Sequence, residues 1–562
     1  MVTLSYKDFM TEVRLRLDDF SKEDLQNLIL QWAGKEHPSR REDFLYKLTF
    51  KDGETVTAIN RDEHLIAQID AFAERVEDEE YVDGFGWDPV LREEREFGDE
   101  SWAEEMDDLF LDTRDLLMQG DYAVAEEAYK KLFDILGMGE EGLLPGDYDI
   151  THMLDVNVRE HNALFLRAVY MNIEADERMR VLYDSMMDYG YVGLTKIKLK
   201  DIRDSLDAPL PDFAAFLTDW IAFLKGKTPS SDVSELLREA VFLKGGIPAI
   251  SEFAKTHAES FPKAYVDWLE ALEMEGDNTS ILQAATEGLS NIPSNYTIRA
   301  EVAEKLTEAG KKRGDNELKL KGLRESFYSN PLMKYLLDLY LTADKEGCFD
   351  EIRDEVETRM LELKNEERGN FTFKDLERVT SPFRERVFIH AQLLGGHYEE
   401  VFHRCKGEDS LGWSFGSNSK PIMLLFLMDV LSKDQKHSKI LLEQWKSVIT
   451  QRLDDGDKVD AEKYMKNMAR VKASLHLTAE EEDFYLEWCK KEIGHRVDAI
   501  VSNQKRGSYD KAARILVAMA ETLANREQVQ TAHHLIARYR EKYPRHRAFK
   551  TELTEALQES EM

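Results

Sequence analysis

The sequence predicts an all-α fold: a solenoid of irregular helical hairpins with a separate helical unit at its C-terminal end. Proline is scarce, with 13 among 562 residues, so few helices are interrupted by it. Hydrophobic residues form 42% and charged residues 33% of the chain, which is typical of a globular rather than a disordered protein. Glycine and proline also recur at one fixed spacing, which indicates a repeated structural unit.

Three glycine–proline pairs are each separated by 17 residues and each bracket one amphipathic segment: Gly245 and Pro262, Gly276 and Pro293, and Gly314 and Pro331. Glycine permits the tight turn between two antiparallel helices. Proline lacks an amide proton and therefore ends the second helix before the next unit begins. The spacing predicts one helical hairpin per unit.

A turn glycine is also followed, at fixed offsets, by small and apolar residues that would let two helices touch. The copies are Gly120 with Ala125 and Tyr129, Gly507 with Ala512 and Leu516, and a weaker one, Gly396 with Val401 and Cys405. With these residues the chain resembles tetratricopeptide-like α-solenoids from about residue 110 to its end. Its prolines lie 31 and 38 residues apart, so the units are less regular than that family's repeat of about 34 residues.

Two longer stretches, 109–136 and 496–549, are similar to the helical-repeat regions of bacterial proteins that carry a SWIM zinc finger. The cysteine and histidine signature of that finger is absent here. The resemblance therefore implies a helical repeat but neither the zinc nor the nucleic-acid binding of the finger.

Composition divides the chain into five parts. They are an N-terminal helical segment (1–73), an acidic segment that contains aromatic residues (74–115), a helical-repeat body (116–405), a flexible hinge (406–420) and a C-terminal helical-repeat unit (421–562). Strand candidates are short and lie at 55–59 and 191–199, which is too few for a sheet-based fold.

This layout resembles the helical accessory protein of type III-E CRISPR systems, which act in antiviral defence. The resemblance implies that an RNA-guided caspase-like protease cuts the chain between its two parts. It also implies a regulated partner such as a sigma factor. The residues that we expect at the protease-sensitive hinge are Gly412, Gly416, Ser417, Lys420, Met423 and Met428.

Charge and cysteine usage exclude several classes of function. The net charge of −35 repels polyanions, so nucleic-acid binding by the whole molecule is disfavoured. Cys348, Cys405 and Cys489 form no CxxC pair, which indicates neither a disulfide framework nor a thiolate zinc site. The N-terminus has no continuous apolar core of signal-peptide kind. We expect a cytoplasmic protein without a cofactor, and the sequence leaves its oligomeric state open.

The longest apolar-rich run also argues against a membrane protein. It extends over the 11 residues 421–431, fewer than the ~20 that a membrane-spanning helix needs. We expect it to form a buried helix.

The motifs that suggest catalysis lack their structural context. The pattern GWSFG at 412–416 matches a nucleophile elbow, but polar residues precede it where a buried strand is required. Cys405 lies near His390, His397 and His403, yet it falls on the helix-facing position of the repeat, where a thiol acts as a small hydrophobe. We therefore expect Cys405 to lie in the core and no residue to be catalytic.

Metal and nucleotide motifs are equally incomplete. His533 and His534 are adjacent, so on a helix their side chains point about 100° apart and do not easily share one metal ion. The GKT at 226–228 lacks the preceding glycine of a phosphate-binding loop. The expected protein is a non-catalytic scaffold that binds other proteins, because solenoids present extended surfaces to partners.

The acidic segment carries the sharpest interaction hypothesis. From 74 to 115 it contains 18 acidic residues and four arginines, a net charge of −14, yet it also contains large aromatic residues that gain free energy on burial. These are Tyr81, Phe85, Trp87, Phe97 and Trp102. We expect an irregular segment whose Phe85 and Trp87 insert into an apolar groove, either of the chain's own solenoid or of a basic partner.

The C-terminal region has the opposite charge. From 490 to 550 it contains 14 basic and six acidic residues, a net charge of +8. The basic surface predicted there consists of Arg538, Arg540, Lys542, Arg545, Arg547 and Lys550. Such a surface could bind an acidic protein or the phosphates of a single-stranded nucleic acid, or it could simply be the solvated end of the repeat array.

Overall fold

The computed structural model describes residues 20–22, 25, 29, 32, 59–88, 93–146, 149–190, 192, 196–366, 377–406, 411, 418–433, 438–452 and 460–560. The chain divides into two compact units, residues 1–249 and 250–562. Helices dominate both units, so the prediction of an all-α fold built from helical hairpins is confirmed.

The first unit contains seven complete helices and one antiparallel pair of strands among its described residues. The elements are α1 (Ile59–Glu77), β1 (Val82–Asp88), β2 (Glu93–Gly98), α2 (Trp102–Gln119), α3 (Tyr122–Met138), α4 (Val158–Asn172), α5 (Arg178–Tyr189), α6 (Leu199–Asp204) and α7 (Phe213–Lys225). A π-helical turn, Gly139–Leu143, continues α3. The helix α8 (Ser231–Thr256) begins in this unit and ends in the second.

The two strands lie where the sequence predicted an irregular segment, so that prediction is wrong. Of the two stretches that were expected to be strands, the described part of 191–199 forms a turn, a loop and the start of α6. The stretch 55–59 lies outside the described residues apart from Ile59, which begins α1. Composition misled because glycine and glutamate are poor strand formers, and the pairing of β1 with β2 overrides that preference.

The hairpin of α2 and α3 forms as its sequence indicates. Gly120 ends α2 in the left-handed conformation with φ of 95°, which a residue with a side chain adopts only at a cost. Ala125 and Tyr129 are fully buried on α3. The predicted helical hairpin therefore forms at this position.

In the part of the second unit that the structure describes, α-helices are the main elements, with one isolated β-bridge between Tyr296 and Thr380 and a short 3-10 turn, Arg506–Ser508. Its helices are α9 (Ala264–Glu275), α10 (Asn278–Asn291), α11 (Arg299–Arg313), α12 (Asn316–Ser329), α13 (Met333–Glu346), α14 (Phe349–Asn365), α15 (Glu385–Gly395), α16 (Tyr398–Cys405), α17 (Lys420–Leu431), α18 (Lys439–Arg452), α19 (Ala461–Ser474), α20 (Ala479–Val501), α21 (Tyr509–Asn525), α22 (Val529–Lys542) and α23 (Arg547–Ser560).

Two of the three glycine–proline pairs mark hairpins as predicted. Gly276 ends α9 and Gly314 ends α11, both in the left-handed conformation, and a proline follows the second helix of each hairpin. Gly245 does not end a helix. The break lies one residue later, at Gly246, where φ of 61° and ψ of −151° kink α8 instead of ending it.

One hydrophobic core extends through the second unit from Ala300 to Ala556. The apolar run at 421–431 forms most of α17, and its leucine and methionine side chains are buried on every side of the helix, which confirms the expected buried helix. Residues before and after 406–420 thus contribute to the same core. The division between the two compact units falls after residue 249.

Candidate partner-binding surface

The strands β1 and β2 form a hairpin in which glutamate faces aromatic residues across the pair. Phe85 lies opposite Glu96, and Trp87 lies opposite Glu94. Residues directly opposite each other in an antiparallel pair project from the same face of the sheet, as do residues two apart in one strand. Phe85, Trp87 and the two glutamates therefore share one face, which we call the aromatic–acidic face.

Both aromatic side chains of this face are exposed. Phe85 is 65% and Trp87 is 60% accessible to solvent. The expected insertion of Phe85 and Trp87 into a groove of the chain's own solenoid is therefore wrong. Among the described residues, β1 pairs with β2 alone.

The opposite face of the hairpin is held by Arg95. Its guanidinium bonds to Glu100, with Nη2 2.7 Å from Oε1, and lies 3.9 Å from a carboxylate oxygen of Asp88. Its Cζ is also 5.8 Å from the ring centroid of Phe97. The Phe97 ring crosses over Gly86, where a side chain on Gly86 would meet it at 3.4 Å. These contacts stiffen the pair of strands from behind.

The start of the hairpin is anchored to α1 and α2. The Tyr81 ring is buried and packs edge-on against Phe72, with 5.8 Å between centroids. Arg75 donates to the Tyr81 hydroxyl at 2.7 Å and also to Glu105. Burial, reinforced by the negative charge of Glu105, raises the pKa of Tyr81 to about 12, so its hydroxyl keeps its proton. Tyr81 is thus a structural anchor.

The end of the hairpin is anchored by Trp102, the first residue of α2. Its side chain is fully buried, and Nε1 donates to the carbonyl oxygen of Pro145 at 2.9 Å. Just before it, Gly98 passes so close to the Tyr81 carbonyl that no side chain fits there. On the aromatic–acidic face, Glu96 reaches over Gly142, where a side chain would lie 2.8 Å from Oε1 of Glu96. The hairpin is therefore tied to the helices at both ends.

The five predicted partner-binding aromatics thus have three different placements. Tyr81 and Trp102 hold the hairpin in place, and Phe85 and Trp87 are available to a partner. Phe97 is 40% exposed and covers the back of the strands. Sequence reasoning missed the roles of Arg75 and Arg95, although both stand out as rare cations in an acidic segment.

The candidate catalytic groups are engaged in separate contacts. Cys405 is buried in α16, as predicted, and its Sγ lies 3.4 Å from the Ser419 hydroxyl. His390 is bonded to the Tyr464 hydroxyl at 2.8 Å, and burial lowers its pKa to about 3. His397 is bonded to Glu357 at 2.7 Å. These geometries favour structural roles for the thiol and the two imidazoles.

The predicted hinge residues have two different fates. Lys420 begins α17, and both Met423 and Met428 are fully buried in it, so a protease reaches these methionines only after the helix unfolds. Gly412, Gly416 and Ser417 lie outside the described residues, as does the serine of GWSFG.

The predicted basic surface is partly neutralised. Lys542 pairs with Asp498 at 2.6 Å, and Arg540 donates to the Thr554 hydroxyl. Exposed arginines remain at Arg538, Arg545 and Arg547. The Tyr543 hydroxyl is 3.1 Å from that of Ser502, which brings the turn after α20 beside the turn after α22.

The described residues contain neither a group of metal ligands nor a membrane-spanning helix. No three or more histidine, cysteine, aspartate or glutamate side chains are grouped there so as to hold a metal ion. In the same residues, every helix is too short or too polar to cross a membrane.

The comparisons with known proteins add little. No family model matches the chain, and neither does any curated protein. Among solved structures, a circular tandem repeat protein with novel repeat topology and enhanced subunit contact surfaces aligns over 89% of this chain and 96% of its own, at 13% identity and a TM-score of 0.16. At that TM-score, the likeness carries no argument about this chain. The surface that its own geometry supports best is the aromatic–acidic face of the hairpin.

Proposed function

We propose that this chain is a non-catalytic helical scaffold that binds protein partners, and that Phe85 and Trp87 form its docking point in the first unit. One observation carries the proposal: two large aromatic side chains, each more than half exposed, lie on the same face of a hairpin that is fixed at both ends. Full burial of such a side chain is worth roughly 1.5–3 kcal/mol. Tryptophan is also among the residues that most often dominate binding energy at interfaces.

The surrounding charge defines the partner. Glu94 and Glu96 flank the two rings on the same face, and the segment 74–115 has a net charge of −14. A partner with an apolar socket rimmed by lysine or arginine would bury the rings and pair with the glutamates. Charge complementarity of this kind raises the rate of association and suppresses wrong partners.

The decisive experiment compares Trp87→Ala with the wild-type chain. Proteins retained from a lysate of the source cells by each immobilised chain are quantified by mass spectrometry. The protein that the variant fails to retain is then purified and titrated against both chains. We expect affinity to fall about 30-fold, which is the effect of losing a central aromatic contact of ~2 kcal/mol. The unfolding free energy should stay within ~0.5 kcal/mol of wild type, because the side chain is exposed.

A matched control is Phe484→Ala, which removes another aromatic side chain of similar exposure, 56%, from the second unit. It should leave binding of the same protein unchanged. Identical retention and affinity for the wild type and Trp87→Ala would remove the hairpin as the docking point.

The finer function that we propose follows the layout of the type III-E accessory protein: a cytoplasmic chain that is cut near 406–420 by an RNA-guided protease and that holds a sigma factor. The composition of 406–420 and the free cysteines Cys348, Cys405 and Cys489, which suit a reducing compartment, support it. The burial of Met423 and Met428 favours a cut before Lys420. Limited proteolysis should yield one dominant pair of fragments with its junction in 406–420; cleavage spread along the chain would count against this switch.

The exposed arginines near the C-terminal end favour a second candidate, contact with a single-stranded nucleic acid. Arg545 lies in the turn beside Ser502, and Arg538 and Arg547 lie close to it in sequence. Binding of a labelled single strand should weaken steeply with added salt and be lost in Arg545→Glu/Arg547→Glu. If the wild-type chain does not bind the labelled single-stranded nucleic acid at low salt, this candidate is eliminated.

A further inference from the structure

The second unit contains a groove that the sequence did not reveal. A cavity of about 770 Å³ lies between α12 and α14, a size that is typical of ligand-binding clefts. Phe327, Leu339 and Val356 line it and are buried, so they provide an apolar floor. A neighbouring cavity of about 550 Å³ shares Arg324 and Glu325 with it and extends the groove along α12.

The walls of the groove are charged, and acids outnumber bases. Five carboxylates and three guanidinium groups line the larger cavity, a net charge of −2. Each arginine already faces one of these acids: Arg299 pairs with Glu325 at 2.8 Å, Arg324 with Glu355, and Arg359 with Glu362 at 3.3 Å. The other two carboxylates are on α14: Asp354 pairs with Arg353 at 2.8 Å, and Glu351 is exposed.

Three acids lie along this side of α14. Glu351, Asp354 and Glu362 line the groove, and all three are exposed. From 351 to 362 the helix rises by about 16 Å, which matches roughly five residues of an extended peptide. Along the axis, Glu351 and Asp354 are about 4.5 Å apart and Asp354 and Glu362 about 12 Å apart, so long basic side chains that alternate every ~7 Å on an extended chain would have to reach them by bending.

The groove also offers an unused hydrogen-bond donor. Arg359 lines the cavity and is buried, and its guanidinium lies over the exposed Tyr328 ring, with Cζ 4.1 Å from the centroid. Its Nε donates to the Tyr328 carbonyl oxygen at 3.1 Å. Among the residues that the structure describes, its Nη2 has no hydrogen-bond partner. A buried donor of this kind is costly to leave unpaired, so a ligand that brings an acceptor gains free energy.

We infer that this groove binds an extended, lysine- or arginine-rich peptide segment of a partner protein. Its basic side chains pair with Glu351 and compete with Arg353 for Asp354 and with Arg359 for Glu362. A backbone carbonyl of the peptide accepts from Nη2 of Arg359 once the Tyr328 ring shifts. The ligand must therefore supply both cationic side chains and a hydrogen-bond acceptor. A polyamine supplies cations but no acceptor, and an acidic peptide supplies acceptors but is repelled by the surplus of carboxylates.

The test is a fluorescence anisotropy titration of the full chain with a labelled peptide in which lysine alternates with threonine. A glutamate–threonine peptide of equal length is the charge control, and unlabelled spermine is the competitor. Any basic peptide is attracted to so acidic a protein. Two variants therefore distinguish binding in the groove from binding elsewhere on the surface. Glu351→Gln/Asp354→Asn neutralises the groove, and Glu270→Gln/Glu275→Gln neutralises two exposed acids of α9 that do not line it.

We expect the groove variant to bind the lysine–threonine peptide roughly 5- to 10-fold more weakly, which is the effect of losing two exposed ion pairs. The α9 variant should bind within about twofold of wild type, and spermine at the same amine concentration should displace little peptide. Hydrogen exchange should slow in α12 and α14 when the peptide is bound. Equal affinity in the two variants, tighter binding of the glutamate–threonine peptide, or full displacement by spermine would overturn the inference.

Discussion

A close approach of two helices in the second unit gives a sharp test of the packing. Gly322 of α12 faces Thr307 of α11, and a Cβ on Gly322 would lie 2.6 Å from the Thr307 amide nitrogen and 2.9 Å from the Ala303 carbonyl oxygen. Both are backbone atoms that cannot rotate away. We therefore predict that Gly322→Ala destabilises the protein, although alanine is the better helix former.

The magnitude follows from two opposing effects. Relief of the overlap requires α12 to move by about 1 Å, and overpacking of this kind costs about 3 kcal/mol at the upper end of its usual range. The greater helix propensity of alanine returns about 1 kcal/mol. The net expectation is a loss of about 2 kcal/mol in unfolding free energy. The same movement would disturb the pairing of Arg299 with Glu325 at the groove.

Denaturant unfolding followed by circular dichroism, together with calorimetry, measures the loss. The matched variant is Gly137→Ala on α3, where a Cβ would meet nothing within 4 Å. Propensity alone acts there, so stability should stay level or rise by up to ~1 kcal/mol. The reasoning is refuted if Gly322→Ala is as stable as the wild type, because the contact with Thr307 would then not constrain the helices.

Two further predictions concern pH in the second unit. Burial lowers the pKa of His390 to about 3. The stability that it contributes is present above its unfolded value near 6.5 and is lost as pH falls, so between pH 7 and 5 the wild type should lose about 2 kcal/mol more than His390→Asn. Glu521 caps α18 by accepting from the amides of Ile440 and Leu441, and burial raises its pKa to about 7. The stability that Glu521 contributes is present below pH 4.5 and is lost as pH rises through 7. Between pH 4.5 and 8, the unfolding free energy of the wild type should therefore fall by about 3 kcal/mol more than that of Glu521→Gln. The unfolding free energy of each variant is measured at several pH values. If it changes with pH by the same amount as that of the wild type, the role assigned to that residue is contradicted.

Local sequence patterns predicted the helical hairpins because their signals act within one turn. Gly276 and Gly314 adopt the left-handed conformation that a helix end requires, and a proline follows each hairpin. Ala125 and Ala512 are buried where two helices approach. These features depend on backbone geometry and side-chain size over a few residues, so a single sequence contains them.

The fate of the acidic segment was not predictable in the same way. Trp87 and Trp102 are the same residue type and lie 15 positions apart, yet one is 60% exposed and the other fully buried. The difference depends on Pro145, whose carbonyl oxygen accepts the Trp102 indole proton from 43 positions further along the chain. No local pattern encodes such a partner, because the free energy of burial depends on what the fold brings nearby.

The charged groove shows the same limit. The acids at 351, 354 and 362 have the spacing of one helix face, but any exposed helix carries such a stripe. The packing of α14 against α12 brings Tyr328 of α12 beside Arg359 and these acids of α14, and it leaves a cavity between the two helices. His390 is likewise kept neutral by burial, and its hydrogen-bond partner Tyr464 is 74 residues away.

The sequence by itself determined that this chain is helical, that glycines mark its hairpin turns, and that its acidic segment contains too many aromatic residues for a plain linker. The tertiary structure alone decided that this segment pairs into strands, that two of its rings anchor and two are exposed, and that one core continues past residues 406–420. Helix formation and turns follow from interactions between near neighbours. Strand pairing, burial and grooves depend on residues that are distant in sequence and meet only after folding.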